Sequence, residues 1–231
     1  MIKIEDLHII EIEILNISLQ FEKGKNYCLL KNSGKSSLSA FLMHPKYEYI
    51  SKVEINKNLI DLSPDERSAE IFLSFQNVPE IKIKLEYLRT IYNIHLKNKN
   101  PEQKDISPFI FNRFVKKYLE ELHIDEKFLE RDLNVGFSGE KRKIEILQMK
   151  LIPSYIILDE IDSGLDLDAF KSVCNMLHDL NNSENTFIII THYFKIVEYL
   201  DIDKVYVMKD KIFKEGKELV EYIKENYEDL K

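Results

Sequence analysis

The sequence predicts an α/β fold: a mostly parallel sheet covered by helices, with an antiparallel β subdomain at the N-terminus and an inserted helical subdomain. Three observations predict it. The short, continuously apolar runs Tyr27–Leu30, Tyr155–Leu158 and Phe187–Ile190 have the length of strands buried on both faces. Helix-period segments follow them, and that alternation is the pattern of a parallel sheet. Residues 2–21 instead alternate with period two, as paired antiparallel strands do.

Taken in order, Ile2, Ile4 and Leu7, then Ile10, Ile12 and Ile14, then Ile17, Leu19 and Phe21 mark the N-terminal strands. Glu22 to Lys25 is a turn. Tyr27–Leu30 opens the core, residues 31–34 form a tight loop, and residues 36–43 form a helix with Leu38, Phe41 and Leu42 on one face. Residues 52–62 read as a short strand pair and 71–75 as a strand. From 79 to 150 the pattern is helical and more charged, with helices at 85–96, 109–122 and 141–150 and a loop at 98–103. The core pattern then resumes: strand 155–158, helix 168–180, strand 187–190, helix 194–200, strands 205–208 and 211–213, and an acidic helix at 217–230. The expected organisation is one domain. Residues 1–78 and 151–231 form the core with its β subdomain, and 79–150 form the insertion.

Composition narrows the function. The net charge of −7, from 33 basic and 40 acidic side chains, argues against a broad nucleic-acid surface, which needs clustered Lys and Arg. No run approaches the roughly 20 apolar residues of a membrane helix, so no direct membrane insertion is expected. The chain starts in a strand-like segment, so no signal peptide is expected. Two cysteines, Cys28 and Cys174, are too few for a disulfide framework or a cluster site, and read as buried reduced thiols.

Gly34-Lys35-Ser36-Ser37 follows a buried strand and opens a helix, which is the context of a phosphate-binding P-loop. Lys35 would reach the β- and γ-phosphates, Ser36 would ligate Mg²⁺, and amides of the helix start would hold phosphate oxygens. By itself such a tripeptide also arises by chance. Tyr155-Ile156-Ile157-Leu158-Asp159-Glu160 ends an apolar strand in two carboxylates, at the sheet edge where such folds bind ligands. Asp159 would hold Mg²⁺ and Glu160 would polarise the attacking water. Alone, the pair also reads as a solvated strand end. Gln76 and Thr191-His192 each follow a strand. A lone His is more often packed than functional, and a lone Gln says nearly nothing. The order is what carries weight: Gly-Lys-Ser at 34–36, Gln76, Ser138-Gly139-Glu140, Asp159-Glu160, Asp166 and His192.

That ordered set resembles the Walker A, Q-loop, signature, Walker B, D-loop and H-loop motifs of ATP-binding-cassette (ABC) ATPases. Asn134 to Lys141, Ile146 to Met149, Asp159 to Ala169, Thr191 to Tyr193 and Leu62 to Arg67 narrow the resemblance to the ATPase of the Suf iron–sulfur cluster assembly system. Transporter ATPases usually carry Pro then Thr after the Asp-Glu pair, where this chain has Ile161-Asp162. The resemblance implies ATP and Mg²⁺ as ligands. Asn32, Ser33, Gly34, Lys35, Ser36 and Ser37 would bind phosphate. Ser36, Gln76 and Asp159 would serve the metal, and Glu160, His192 and Gln76 the chemistry. It also implies an ATP-dependent homodimer in which Ser138, Gly139 and Asp166 meet the other subunit's nucleotide, on a Suf scaffold of the SufB/SufD kind. Residues 78–92, with Tyr87, Leu88 and Tyr92, are the expected scaffold contact; the other reading is that these side chains pack the insertion internally. Richness in Ile, Lys and Asn hints at an AT-rich genome, hence the cytoplasm or a plastid stroma. The alternatives are a transporter ATPase and a non-catalytic structural subunit.

The chain departs from the family in its glycines, of which it has six. The family loop reads G-x-N-G-S-G-K-S, whereas here Leu30 leads directly into Lys31-Asn32-Ser33-Gly34-Lys35. The signature has one glycine after Ser138 where the family has two, and glycine turns near 51–52, 56–57 and 70–71 are also short. Three residues span at most about 10 Å, which is little chain to wrap a β-phosphate. One residue lost from the signature rotates the helix start by about 100°. Three readings follow: weakened binding, lost binding with dimerisation kept, or glycines absent only from the written sequence. Spacing of about 3.8 Å between consecutive Cα atoms at 31–33 and 139–140 would speak against the third.

Overall fold

The computed structural model describes residues 2–9, 14–30, 52–55, 57–58, 62–74, 85–121, 124–127, 138–151, 155–161, 167–191, 196, 199–209 and 212–215. The helices expected at 36–43 and 217–230 lie outside them, as do the spacings at 31–33.

Two sheets form the frame. Strands β1 (Ile2–Ile9), β2 (Ile14–Phe21), β4 (Lys52–Ile55) and β5 (Lys57–Asn58) make an antiparallel sheet in the order β2-β1-β4-β5. Strands β3 (Tyr27–Leu30), β6 (Ile71–Ser74), β7 (Tyr155–Asp159), β8 (Thr186–Thr191), β9 (Lys204–Lys209) and β10 (Ile212–Glu215) make the second, in the order β10-β9-β3-β8-β7-β6. The five strands from β9 to β6 run parallel, and β10 closes one edge as an antiparallel hairpin with β9. The all-apolar runs are the middle of this sheet. Every residue of β7 and β8 is buried, as the absence of a polar face in their sequences requires.

An aromatic contact joins the sheets. Phe21, the last residue of β2, sits edge-on to Tyr27 with ring centroids 5.0 Å apart, and Tyr27 stacks on Tyr206 of β9 at 6.1 Å. The Glu22 amide donates to the Tyr27 hydroxyl at 2.7 Å, so the turn that expels the chain from β2 is capped by the strand it leads into. Gly24 carries that turn at φ +76°, and a Cβ there would lie 2.8 Å from the Ser183 carbonyl oxygen. Only glycine fits both demands.

Five helices are described: α1 (Pro64–Ser68), α2 (Leu85–Lys99), α3 (Pro108–Glu121), α4 (Ser138–Leu151) and α5 (Leu167–Leu180). Three of them bury an apolar stripe at helical spacing: Leu88, Ile91 and His95 on α2, Phe111, Val115 and Leu119 on α3, and Phe170, Val173, Cys174, Leu177 and Leu180 on α5. Residues 144–149 of α4 are all buried, so this helix is enclosed on every side there. Cys28 and Cys174 are buried thiols outside any disulfide, as expected.

Two features depart from expectation. The short helix α1 was not foreseen, although Ser63 and Glu66 form a reciprocal capping box at its start. The loop expected at 98–103 begins later, because α2 continues to Lys99. The following residues are tied back: the Ile106 amide donates to Asn93 Oδ1 at 2.9 Å, Arg89 donates to the Ile106 carbonyl at 2.9 Å, and Lys97 pairs with Asp105 at 2.6 Å. Of the helix expected at 194–200 only residues 196, 199 and 200 are described, and the Tyr199 amide donates to the Ile196 carbonyl at 3.2 Å; the rest of that expectation lies outside the described residues.

His95 makes the fold pH-sensitive. It is buried, with Nδ1 2.9 Å from the Ala69 carbonyl oxygen, so that nitrogen carries the proton and donates. Nε2 is buried with no hydrogen-bond partner among the described residues, which favours a neutral ring. Burial is the main cause that lowers its pKa, with Lys99 adding to the effect and the Ala69 contact opposing it. The unfolded chain therefore takes up a proton first, near the ordinary imidazole value of about 6.5, and stability contributed by neutral His95 is lost as pH falls below that value. Denaturant unfolding at pH 7 and pH 5 should show the parent losing more stability than His95→Gln over this interval.

Candidate functional site

The site expected from the sequence is laid out by strand register. In a parallel sheet all strands end at one edge, and ligands bind outside that carboxyl edge. Leu30 at the end of β3 is level with Thr191 at the end of β8. Asp159 at the end of β7 is level with Ile190, and Ser74 at the end of β6 is level with Leu158. Four adjacent strands therefore release the chain together: into residues 31–37 from β3, into His192 from β8, into Glu160 from β7, and into Gln76 from β6. β3 also lies between β8 and β9, so the chain crosses it on passing from β8 to β9.

Asn32, Ser33, Gly34, Lys35, Ser36, Ser37, Gln76, Asp166 and His192 themselves lie outside the described residues. The four strand ends that lead toward these segments, Leu30, Ser74, Asp159 and Thr191, are described and lie side by side. Ser138 and Gly139 belong to no strand. They open α4, the last helix between β6 and β7.

Asp159 and Glu160 are the described pair. Asp159 is only 7% exposed although it is a carboxylate, while Glu160 is half-buried. The Glu160 amide still donates to the Ile190 carbonyl at 2.8 Å, extending the β7–β8 ladder by one bond. Glu160 then adopts φ +50°, the single positive φ of a non-glycine among the described residues. Ile161, 3% exposed, anchors the turn back in the core. The strand thus runs to its last possible bond, then breaks off sharply between two fixed points. A non-glycine residue held this way stores about 1 kcal/mol or more.

A buried carboxylate at this edge suits a hard divalent cation, whose ligands are oxygens. Among the described residues no three His, Cys, Asp or Glu side chains cluster as a metal site by themselves. Any cation held by Asp159 would draw its other ligands from elsewhere, such as phosphate oxygens.

One buried polar contact was missed in the sequence. The buried Ser74 hydroxyl donates to the buried carboxylate of Glu145 on α4 at 3.0 Å. The signal was available, since Glu145 sits in the otherwise apolar run Ile144 to Leu147. Two of the three expected scaffold-contact side chains are turned inward. Leu88 is 1% exposed, and Tyr92 packs on Phe111 and Phe114 at 5.6 and 5.4 Å. Only Tyr87 is exposed, together with Phe109 and Ile110 at the start of α3.

Comparisons with known proteins agree with this layout. No family profile matches the chain. The probable ATP-dependent transporter ycf16 of Cyanophora paradoxa is 41% identical over 217 residues, covering 88% of this chain and 83% of that protein. The chain belongs to the ABC ATPase family of ycf16 and SufC. The iron–sulfur cluster assembly protein SufC of Plasmodium berghei is 36% identical over 233 residues, which is 94% of this chain but 63% of that protein's length. A probable ATP-dependent transporter of Synechocystis is 40% identical over 216 residues, 88% of this chain and 83% of that protein. Among solved structures, a dimeric ATP-binding cassette in a post-hydrolysis state with ADP and Pi superposes at TM-score 0.71 with 18% identity, covering 94% of this chain and 98% of that one. The fold is that of an ABC ATPase cassette. Among the described residues no helix is long and apolar enough to cross a membrane.

In this ABC ATPase the strain at residue 160 is separable from its chemistry. Glu160→Gly should unfold at higher denaturant than Glu160→Ala, with a difference of about 1 kcal/mol, because glycine accepts positive φ without a Cβ clash. Equal stabilities would mean that residue 160 is not held left-handed.

Proposed function

We propose that this ABC ATPase is the ATP-hydrolysing subunit of an iron–sulfur cluster assembly machine and drives conformational change in a soluble scaffold. The observation that carries the reading is the Asp159–Glu160 pair, which stands at the carboxyl edge of the sheet beside the strand ends leading to residues 31–37, Gln76 and His192. The SufC likeness across 94% of the chain supplies the biological setting.

On this reading Lys35 and the amides of Asn32 to Ser37 hold the phosphates. Ser36, Asp159 and Gln76 would hold Mg²⁺, which would supply charge neutralisation at the phosphates. Glu160 accepts the proton of the attacking water, and His192 and Gln76 position the γ-phosphate. Ser138, Gly139 and Asp166 act on the nucleotide of a second copy, as the dimeric state of the related cassette supports. Residues 79–150 form the inserted helical subdomain. Exposed Tyr87, Phe109 and Ile110 replace Leu88 and Tyr92 as the apolar residues available to a scaffold of the SufB/SufD kind. The setting is cytoplasmic or plastid stromal.

The ycf16 relatives are named transporters, which favours a second reading as a transporter subunit. Co-purification from the native source separates the two: a soluble scaffold supports the first reading, and recovery only with an integral membrane permease sinks it.

Calorimetry with Mg²⁺-ATP tests the site itself. The parent should bind ATP at micromolar concentration or tighter, Lys35→Ala should lose binding, and Glu160→Gln should keep binding while turnover falls by roughly 100-fold or more. Absence of parent binding up to millimolar ATP would assign the chain a structural role, with the shortened glycine loop as the cause.

A further inference from the structure

Helix α4 carries polar side chains where an enclosed helix has no use for them. Residues 144–149 are all buried, yet two of the six are Glu145, 4% exposed, and Gln148, 9% exposed. They stand three residues apart, on one face of the helix. Gln148 Nε2 has no hydrogen-bond partner among the described residues. Glu145 accepts from the Ser74 hydroxyl at 3.0 Å, and Ser74 is 1% exposed. Burying a carboxylate is unfavourable even when it is paired, and an apolar pair of similar volume would stabilise the same contact at least as well. Stability alone therefore gives no reason for this pair.

Its place in the chain gives one. Ser74 is the last residue of β6, level with Leu158, one step before Asp159. Among the described strands β6 is the outermost of its sheet, and β7 is the strand that pairs with it. Gln76 lies two residues beyond Ser74. On the other side, Glu145 follows Ser138 by seven positions. Seven helical steps return to within about 20° of the same face, two turns or roughly 10 Å along the axis. One buried bond thus ties the strand end leading to Gln76 to the helix whose first residue is Ser138.

We propose that Glu145 is a positioning residue for ATP hydrolysis: its bond to Ser74 fixes the signature helix α4 against the end of β6, so that the Gln76 segment and the Ser138 end move as one body. This rests on the roles given above to Gln76 and Ser138. Glu145 touches no substrate. It holds two elements in the register that closure on a second copy requires. Breaking the bond leaves ATP binding by the P-loop of the same copy intact and slows turnover.

The test is steady-state ATPase kinetics of the full chain with its scaffold, alongside calorimetric ATP affinity and thermal unfolding, for Ser74→Ala, Glu145→Ala, the double variant and Glu145→Gln. Both single Ala variants should lower kcat by roughly tenfold with ATP affinity within about twofold of the parent, and the double variant should be no slower than the slower single. Glu145→Gln keeps an oxygen that accepts from Ser74 and should recover most of the kcat lost in Glu145→Ala. If Glu145→Ala does not fold, Ser74→Ala against Glu145→Gln decides by the same kcat criterion. Parent-like kcat in Ser74→Ala, multiplicative losses in the double variant, or a loss of ATP affinity in proportion to kcat would overturn the proposal. A parent that binds and turns over ATP while these variants behave like it overturns the link alone. A parent without turnover removes the hydrolytic reading on which it rests.

Discussion

The pairing of β7 with β8 is the constraint on which the arrangement depends. Both strands are buried along their whole length, so every backbone N–H and C=O in them must find a partner in the ladder. The ladder runs to its last bond, the Glu160 amide on the Ile190 carbonyl at 2.8 Å. Polar side chains are tolerated only where it ends. That single requirement puts Asp159, Glu160 and the segment beginning at Thr191 at one edge, next to the ends of β3 and β6. The strained backbone of Glu160 follows from the same cause, since the chain must leave the sheet within one residue and return Ile161 to the core.

The opposite edge is closed by hydrogen bonds that contribute no chemistry. Asn26, just before β3, donates from its side chain to Asn181 Oδ1 at 3.1 Å and to the Asp201 carbonyl at 2.8 Å. Its amide donates to Asp203 at 2.9 Å, and its carbonyl accepts from the Asp203 amide at 2.8 Å. The start of β3 is thereby fixed to the end of α5 and to the entry of β9. Thr186, the first residue of β8, accepts from the Gly24 amide at 2.8 Å and donates to the Glu22 carbonyl at 3.2 Å. With its N-terminal edge clamped this way, the sheet presents its carboxyl edge as the one place where loops are free to carry ligand-binding residues.

Much of this was legible in the sequence because burial on two faces leaves an unmistakable trace. Tyr155–Leu158 and Phe187–Ile190 read as core strands from their apolar runs alone, and the period-two stretch from Ile2 to Phe21 read as antiparallel pairing. The helix read at 109–122 is present as Pro108–Glu121, and the structure adds that Phe111, Val115 and Leu119 form its buried stripe. What escaped depended on tertiary contacts. Tyr87, Leu88 and Tyr92 are equally apolar in sequence, and only the packing of α2 on α3 decides that Tyr87 stays outside. The Ser74–Glu145 bond joins positions 71 residues apart, so no local pattern announces it beyond one acid in an apolar run. Among the candidate site residues, the positions of Asp159 and Glu160 follow from strand logic. Roles for Asn32 to Ser37, Gln76, Asp166 and His192 rest on motif order.

The central claim is that one sheet edge, supplied by β3, β8, β7 and β6, holds the nucleotide. Hydrogen–deuterium exchange of the Glu160→Gln chain with and without Mg²⁺-ATP tests it most directly. The account predicts ATP-dependent protection in the segments just after these four strands, residues 31–37, 75–77, 160–162 and 192–193, with no change at the clamp around Asn26 and Asp203. Protection centred on that clamp, or none at saturating ATP, would contradict it.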